Sequence, residues 1–369
     1  MTSIRDVGHE NFHMGAALGL LMDIHDQPDL ARYARQMRYA PFGEQGQQNL
    51  ARRRALVCGC GALGSVIANT LVRAGVGFVR IVDRDFIELN NLQRQVLYDE
   101  ADVAAEIPKA VAAAAKLRQI NSQIEIESLV ADVDSTNIAQ LVGDVDVIVD
   151  GLDNFETRFL LNDAAVKFGK PWIYGGCIGA EGQTMTIVPG ETACLSCFMP
   201  VAPPPGTTPT CDTAGILGPI VNVVASFQAM EAIKLLAGRR EAISRSLTIF
   251  EMWDNRIRQI DLSKLRDQSD CPTCKRREFP WLAGERGSHT AVLCGRNAVQ
   301  LMQPGGGRLD LASLAEALRG VGQVSFNSYL LRLTVDKYQI TVFPDARAII
   351  GGTNDIAEAR TAYARYIGQ

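Results

Sequence analysis

The chain has 369 residues, of which 47% are hydrophobic and 21% charged, and its formal net charge is −4. That balance suits a soluble globular protein with a sizeable core, and it lacks the basic footprint of a nucleic-acid-binding surface. Nine cysteines, an odd number in a chain of this size, do not make a disulfide scaffold, and the first residues do not read as a signal peptide. A cytoplasmic protein is expected.

Residues 1–27 have mixed polarity and no strong period, so they read as an N-terminal extension. Residues 29–37 form a short helix carrying Arg32-Tyr33-Ala34-Arg35-Gln36, and 43–54 a second polar helix. An apolar strand from 55 then runs into Gly59-x-Gly61-x-x-Gly64 and a helix over 65–74. A second strand, 78–82, ends on Asp83. Pro108 opens an alanine-rich helix reaching 119, since proline suits a first turn and alanine favours helix throughout. Residues 124–129 alternate as a strand, and the apolar run 145–149 reads as a buried parallel strand that delivers 150–154 at its C-terminal end. Strands follow at 172–174, 184–188 and 247–253, with five prolines in 200–209 marking a loop. The apolar stretch 216–236 carries Asn222, Gln228, Glu231 and Lys234. It reads as a buried amphipathic helix, and no membrane partner is expected.

Composition shifts after Cys274, where 275–277 and 284–287 look like a linker. The tail reads as strands at 290–294, 329–335, 338–343 and 347–350 with helices at 310–319 and 355–367. The expected fold is α/β: a doubly wound, mostly parallel sheet with a Rossmann-like nucleotide unit, plus a small C-terminal α+β domain. The expected boundaries are 1–27 for the extension, 28–277 for the main domain with a zinc site, and 285–369 for the tail.

The glycine run needs a strand before it and a helix after it to mean nucleotide binding, and both are present. Its glycines allow a tight turn and close approach of phosphate oxygens to backbone N–H groups at a helix N-terminus. Asp83, at the strand end, suits a ribose hydroxyl better than its neighbour Asp85. The polar residues beyond Asp83 separate two enzyme classes. A nicotinamide-dependent oxidoreductase explains the glycines and Asp83 but not Arg94, Lys109 and the Asp153-Asn154 pair. An enzyme that cuts ATP uses two cations against phosphate and a carboxylate for Mg²⁺, which takes one or two carboxylates besides phosphate oxygens. Taken singly, Arg94 suits a surface loop, Lys109 a solvated helix face, and Asp153 a helix cap.

Cys194-x-x-Cys197 and Cys271-x-x-Cys274 supply four thiolates, enough for a closed tetrahedral Zn²⁺ site. Their separation is far longer than that of a zinc ribbon, so the fold must bring them together. Cys211 comes after the proline loop and reads as a loop-borne thiol, or else as a small buried residue. Cys294 ends a strand of the tail; Cys58, Cys60 and Cys177 read as packing residues.

Together, Arg32-Tyr-Ala-Arg35-Gln, the glycine run, Asp83, Asn91-Leu-Gln-Arg94-Gln, Pro108-Lys109, Asp153-Asn154, the two cysteine pairs and Thr210-Cys211-Asp-Thr-Ala-Gly215 resemble the ThiF/MoeB/HesA family, from about residue 29 to 274. The run around Cys211 is closer to the thiazole branch, and the tail resembles the extra domain of longer ThiF-like proteins. The resemblance implies a homodimer that adenylates the C-terminal Gly-Gly of a small ubiquitin-like sulfur carrier with ATP, preparing it to become a thiocarboxylate. It implies a nucleotide site of Gly59, Gly61, Gly64, Asp83, Asn91, Arg94, Lys109 and Asn154, with Mg²⁺ on Asp153 and Arg35 from the second subunit. A sulfur donor, a cysteine desulfurase or a sulfurtransferase, is the further partner. Capture of the activated carrier by Cys211 gives a thioester, or an acyl disulfide if the thiol first carries a persulfide; sulfur delivered directly to the adenylate leaves Cys211 a bystander. A non-catalytic scaffold for such a carrier is the rival from another class, and the intact Arg94 and Asp153 argue against it. Thiamine, molybdopterin and tRNA thiolation remain open as pathways.

Overall fold

The computed structural model describes residues 30–367 apart from 205–206, 208, 287–289, 294–296 and 302–308. The extension 1–27 and Cys294 lie outside the described residues. Eight strands, β1 (Arg54–Cys58), β2 (Phe78–Val82), β3 (Glu125–Leu129), β4 (Val147–Asp150), β5 (Trp172–Ile178), β6 (Glu181–Ile187), β7 (Ser246–Glu251) and β8 (Arg256–Asp261), form one sheet. Its order is β3-β2-β1-β4-β5-β6-β7-β8. The first five pair in parallel, and β6 to β8 continue antiparallel.

Helices cover both faces, as a parallel sheet requires. Ala62–Ala74, Lys109–Ile120 and Gly218–Leu236 pack on one face around Ile67, Leu71, Leu117 and Val221. Phe155–Phe168 and Ile138–Gly143 pack on the other around Leu161, Leu141 and Trp172. β2 and β4 are buried along their whole length, which is why β4 reads as a continuous apolar run rather than an alternating one; β2 is interrupted by Arg80, whose guanidinium pairs with Glu127 and Asp144. Gly218–Leu236 is long and apolar enough to cross a membrane by composition alone. Here it is a core helix: Gln228 donates to Asp150 O at 2.8 Å, and a Cβ on Gly175 would stand 2.3 Å from the Gln228 side chain. Such close approach of helix and strand is open only to glycine.

A second sheet, β9 (Thr290–Leu293), β10 (Ala298–Leu301), β11 (Gln323–Phe326), β12 (Leu331–Val335), β13 (Tyr338–Val342) and β14 (Ala348–Gly351), has the order β11-β12-β13-β14-β10-β9. Its pairs are antiparallel, and it packs with helices Leu311–Leu318 and Ile356–Tyr366 around Leu333, Ile340 and Ile350. This is the small α+β lobe.

One local expectation needs correction, and two features lie beyond the sequence reading. The helix over 43–54 stops at Leu50, because Arg54 already pairs with Phe78 in the sheet. Strand β8 leaves no mark in the sequence: it is exposed along its whole length, so no buried face writes a period into it. Between the two expected linker stretches, 275–277 and 284–287, the chain is anchored to the main sheet's helices. Trp281 and Leu282 donate backbone N–H groups to Asp163 at 3.0 and 3.4 Å, and the Trp281 ring lies 5.6 Å from Phe159.

Candidate active site

The glycine run sits where β1 ends and the Ala62–Ala74 helix begins. Gly59 has φ +82°, a left-handed conformation that other residues adopt at a cost. A Cβ on Gly64 would lie 1.9 Å from Gly59 O, so the helix meets the strand end only because both positions are glycine. The turn is held from two sides: Gly59 donates to Val82 O at 2.8 Å, and Gly151 donates to Cys58 O at 2.7 Å.

Asp83 lies at the end of β2 and is buried. Its carboxylate accepts N–H from Cys60 at 2.6 Å and from Asp85 at 2.7 Å. Burial pushes its pKa up, while Lys109 and the two backbone donors pull it back. Lys109 is not a solvated head on an alanine helix. It is 4% exposed, and its Nζ stands 3.0 Å from Asp85 Oδ2. Asp85 therefore holds the lysine, while Asp83 holds the glycine turn.

Arg94 comes after a 3₁₀ turn, Leu89–Asn91, and its Nη1 donates to Asn90 O at 2.8 Å. Asn91 is buried and caps that turn through Glu88 N at 3.3 Å. At the end of β4, Asn154 rather than Asp153 caps the Phe155–Phe168 helix, accepting from Thr157 N at 2.9 Å. Asp153 stays exposed, with Asn154 Nδ2 at 3.3 Å, and its charge reaches Arg84. The strand ends thus gather Gly59, Gly61, Gly64, Asp83, Lys109, Asp153 and Asn154 at one edge of the sheet.

Cys211 opens the short helix Cys211–Ala214, whose cap is Thr210. Its Sγ is 3.9 Å from Cys177 O. The residues after that helix are pinned to the β5–β6 turn, with Gly179 donating to Gly215 O at 2.9 Å. The long helix then starts against Arg94, whose Cα would be 3.8 Å from a Cβ on Gly218.

Arg35 lies elsewhere. It is exposed on Ala34–Met37, a segment tied to the far ends of the site helices. Gln36 donates to Ala74 O at 3.0 Å, Arg32 to Ile120 O at 2.7 Å, and Asn121 donates to the Tyr33 hydroxyl at 2.8 Å. The 13-residue helix Ala62–Ala74 separates that anchor from the glycine turn, a span of roughly 20 Å at the helical rise.

The four paired cysteines come together 77 residues apart in sequence. Cys194 and Cys197 Sγ are 3.8 Å apart, Cys194 and Cys271 3.5 Å, and Cys197 and Cys274 3.4 Å. A zinc tetrahedron with bonds of about 2.3 Å has edges of roughly 3.8 Å, so the donor set fits Zn²⁺. These distances are far beyond a disulfide bond of about 2.05 Å.

The ThiF family model matches residues 33–273. The chain belongs to the ThiF family. It is 48% identical over 339 residues, 91% of this chain and 99% of the relative, to the sulfur carrier protein ThiS adenylyltransferase of Bacillus subtilis. The sulfur carrier protein adenylyltransferase of Thermus thermophilus is 37% identical over 251 residues, 67% of this chain and 91% of that one. A solved structure of E. coli MccB with ATP is 24% identical with a TM-score of 0.55, covering 63% of this chain and 71% of that one; this likeness shows the fold.

Several residues that build this ThiF-family site carry no motif visible in the sequence. Arg158 pairs with the fully buried Asp150 and also donates to Leu152 O and Gly175 O at 2.7 Å each, fixing the loop that presents Asp153. Asn162 donates to Ser196 at 3.0 Å and accepts from Leu195 N at 2.9 Å, seating the first cysteine pair. Both lie on Phe155–Phe168, a helix that also carries Glu156, Thr157, Asp163 and Lys167, so nothing in the sequence sets them apart.

Proposed function

We infer that the chain adenylates the C-terminus of a ubiquitin-like sulfur carrier, preparing it for thiocarboxylate formation in sulfur transfer for cofactor biosynthesis. It is an adenylyltransferase of the ThiF family, and ATP is its co-substrate. The convergence of the glycine turn, Asp83, Lys109 and Asp153 at the C-terminal ends of parallel strands carries this reading, because open α/β sheets bind nucleotides there.

The finer assignment rests on charge. Gly59, Gly61 and Gly64 let the phosphates approach the backbone closely where the helix begins, Asp83 binds the ribose, and Asn91 and Asn154 shape the pocket walls. Arg94 and Lys109 neutralise the phosphates. Mg²⁺ held by Asp153 would offset charge building on the pyrophosphate as it leaves. The nucleophile is the carboxylate of the carrier's terminal Gly-Gly, already ionised at neutral pH. No general base is required, so the work is positioning and charge stabilisation. Arg35 acts in the partner subunit's site of a homodimer; its distance from its own glycine turn supports this. Zn²⁺ on Cys194, Cys197, Cys271 and Cys274 is structural, since four protein ligands leave no open position.

Residues 28–277 form the adenylating domain and 285–369 an appended lobe. Cys211, on the segment that leads to Arg94, takes the activated carrier as a thioester or, after a cysteine desulfurase or sulfurtransferase has loaded it with sulfur, as an acyl disulfide. A cytoplasmic setting supplies both ATP and reduced thiols.

The deciding experiment is ATP–pyrophosphate exchange with a small Gly-Gly-ending carrier. Exchange should need Mg²⁺ and the carrier, and Asp153→Ala should lower it at least roughly 100-fold without unfolding the chain. Full exchange in that variant removes Asp153 from the mechanism; carrier binding without any exchange in the wild type favours the scaffold.

A further inference from the structure

The C-terminal lobe packs on the segments that flank Asp85 and Lys109. Arg347, in the turn between β13 and β14, is only 2% exposed. Its Nη2 donates to Arg84 O at 3.1 Å, its Nε stands 3.9 Å from Asp132 Oδ2, and its guanidinium carbon lies 3.9 Å from the Phe343 ring centroid. Gln300 of β10 donates to the same Asp132 carboxylate at 2.9 Å. Phe343 stacks on Phe86 at 5.5 Å. Arg332 pairs with Glu106, and Asn327 donates to Glu106 O at 3.2 Å.

These contacts land on Arg84, Phe86, Glu106 and Asp132, and they lead inward. Arg84 Nη1 donates to Asp132 Oδ1 at 2.6 Å, and Arg84 Nε is 3.7 Å from Asp85 Oδ1. Asp85 Oδ2 is 3.0 Å from Lys109 Nζ, and Lys109 N donates to Asp85 O at 2.9 Å. A continuous chain of charges thus runs from Arg347 through Asp132, Arg84 and Asp85 to Lys109.

This arrangement is expensive as a mere glue between lobes. Nε and Nη1 of Arg347 and Oε1 of Gln300 make no hydrogen bond among the described residues. Unpaired buried polar atoms cost free energy, and an apolar residue packed on Phe343 would join the lobes at less cost. The charge makes sense through what it holds.

We propose that the C-terminal lobe is a working part of the ATP site, with Arg347 a positioning residue that fixes Asp132 and Arg84 so that Asp85 aims Lys109 at the bound triphosphate. This rests on the assignment of Lys109 to the phosphates. An apolar or uncharged replacement at either end of the first link loosens the lysine and weakens ATP binding, while the carrier's contacts elsewhere are untouched.

The test uses the full chain. Exchange kinetics at saturating carrier, and calorimetric titration with a non-hydrolysable ATP analogue, are measured for Arg347→Met, Arg347→Lys and Asp132→Asn. Arg347→Met and Asp132→Asn should each raise the ATP KM and the analogue Kd about tenfold, with kcat and the carrier KM changed less than about twofold. Arg347→Lys should recover part of the loss, since it keeps the charge but not the fork. A merely structural lobe would lower kcat through a smaller active fraction and leave both KM values alone; that result overturns the proposal. If Arg347→Met does not fold, Asp132→Asn tests the same link from the nucleotide domain, and a wild-type Kd there also overturns it. Lys109→Ala separates the two levels: if it retains wild-type ATP affinity and exchange, the phosphate role of Lys109 fails, whereas if it loses them while Asp132→Asn does not, only the link from the lobe fails.

Discussion

Arg158 Nε lies 3.1 Å from Asp150 Oδ2, and the Asp150 side chain is fully buried. The two residues stand at opposite ends of the loop that carries Asp153. The same guanidinium donates to Leu152 O at 2.7 Å, so one side chain fixes both the strand end and the turn after it. Burial raises the Asp150 pKa, and Arg158 opposes that rise. Removing the cation leaves a buried carboxylate without its partner. Arg158→Met should destabilise the protein by roughly 3–5 kcal/mol, read as a drop in the denaturant midpoint. A shift below about 1 kcal/mol, the scale of an exposed pair, would show that water reaches Asp150 once the arginine is gone.

The cysteine cluster predicts about one zinc per chain after removal of loosely bound metal. Thiolate binding is part of folding, so stripping the metal with a strong chelator should lower the thermal midpoint and release Cys194, Cys197, Cys271 and Cys274 to thiol reagents. Asn162→Ala, which loses the bonds to Ser196 and Leu195, should cost about 1–3 kcal/mol and speed metal loss. A metal-free protein of unchanged stability would contradict the assignment.

Arg35 predicts complementation between subunits. Arg35→Ala and Asp153→Ala should each be inactive alone. Mixed and allowed to exchange subunits, they form hybrids in which one of two sites has both groups, and exchange activity should return in part. Absence of any rescue, with hybrid formation verified by mass, would place Arg35 in its own site or in a structural role.

Cys211 predicts a division between two steps. Attack of its thiolate on the acyl-adenylate forms a thioester and expels AMP; attack by a Cys211 persulfide forms an acyl disulfide with the same leaving group. Adenylation itself needs no thiol. Cys211→Ala should therefore keep pyrophosphate exchange and lose the covalent carrier adduct in non-reducing mass spectrometry. Wild-type rates of thiocarboxylate formation by this variant, with no adduct in the wild type, would make the thiol a bystander and the adenylate the direct acceptor of sulfur.

The order of residues alone encodes what local chemistry can carry. Gly59, Gly61 and Gly64 stand between an apolar strand and a helix, and that pattern has few physical uses. The buried apolar run of β4 announces a parallel strand, and each Cys-x-x-Cys pair announces half of a tetrahedral thiolate set. These signals survive in one dimension because each depends on residues a few positions apart. The exposed strand β8 leaves no such trace. Nor do the tertiary pairings: Lys109 beside Asp85, 24 residues away, reads in sequence as one more lysine on an alanine helix. Arg347 beside Arg84, 263 residues away, reads as a charge at the start of a strand. The fold makes these residues buried and paired, because the partners of a desolvated charge are set by which segments meet, and no periodicity records that meeting.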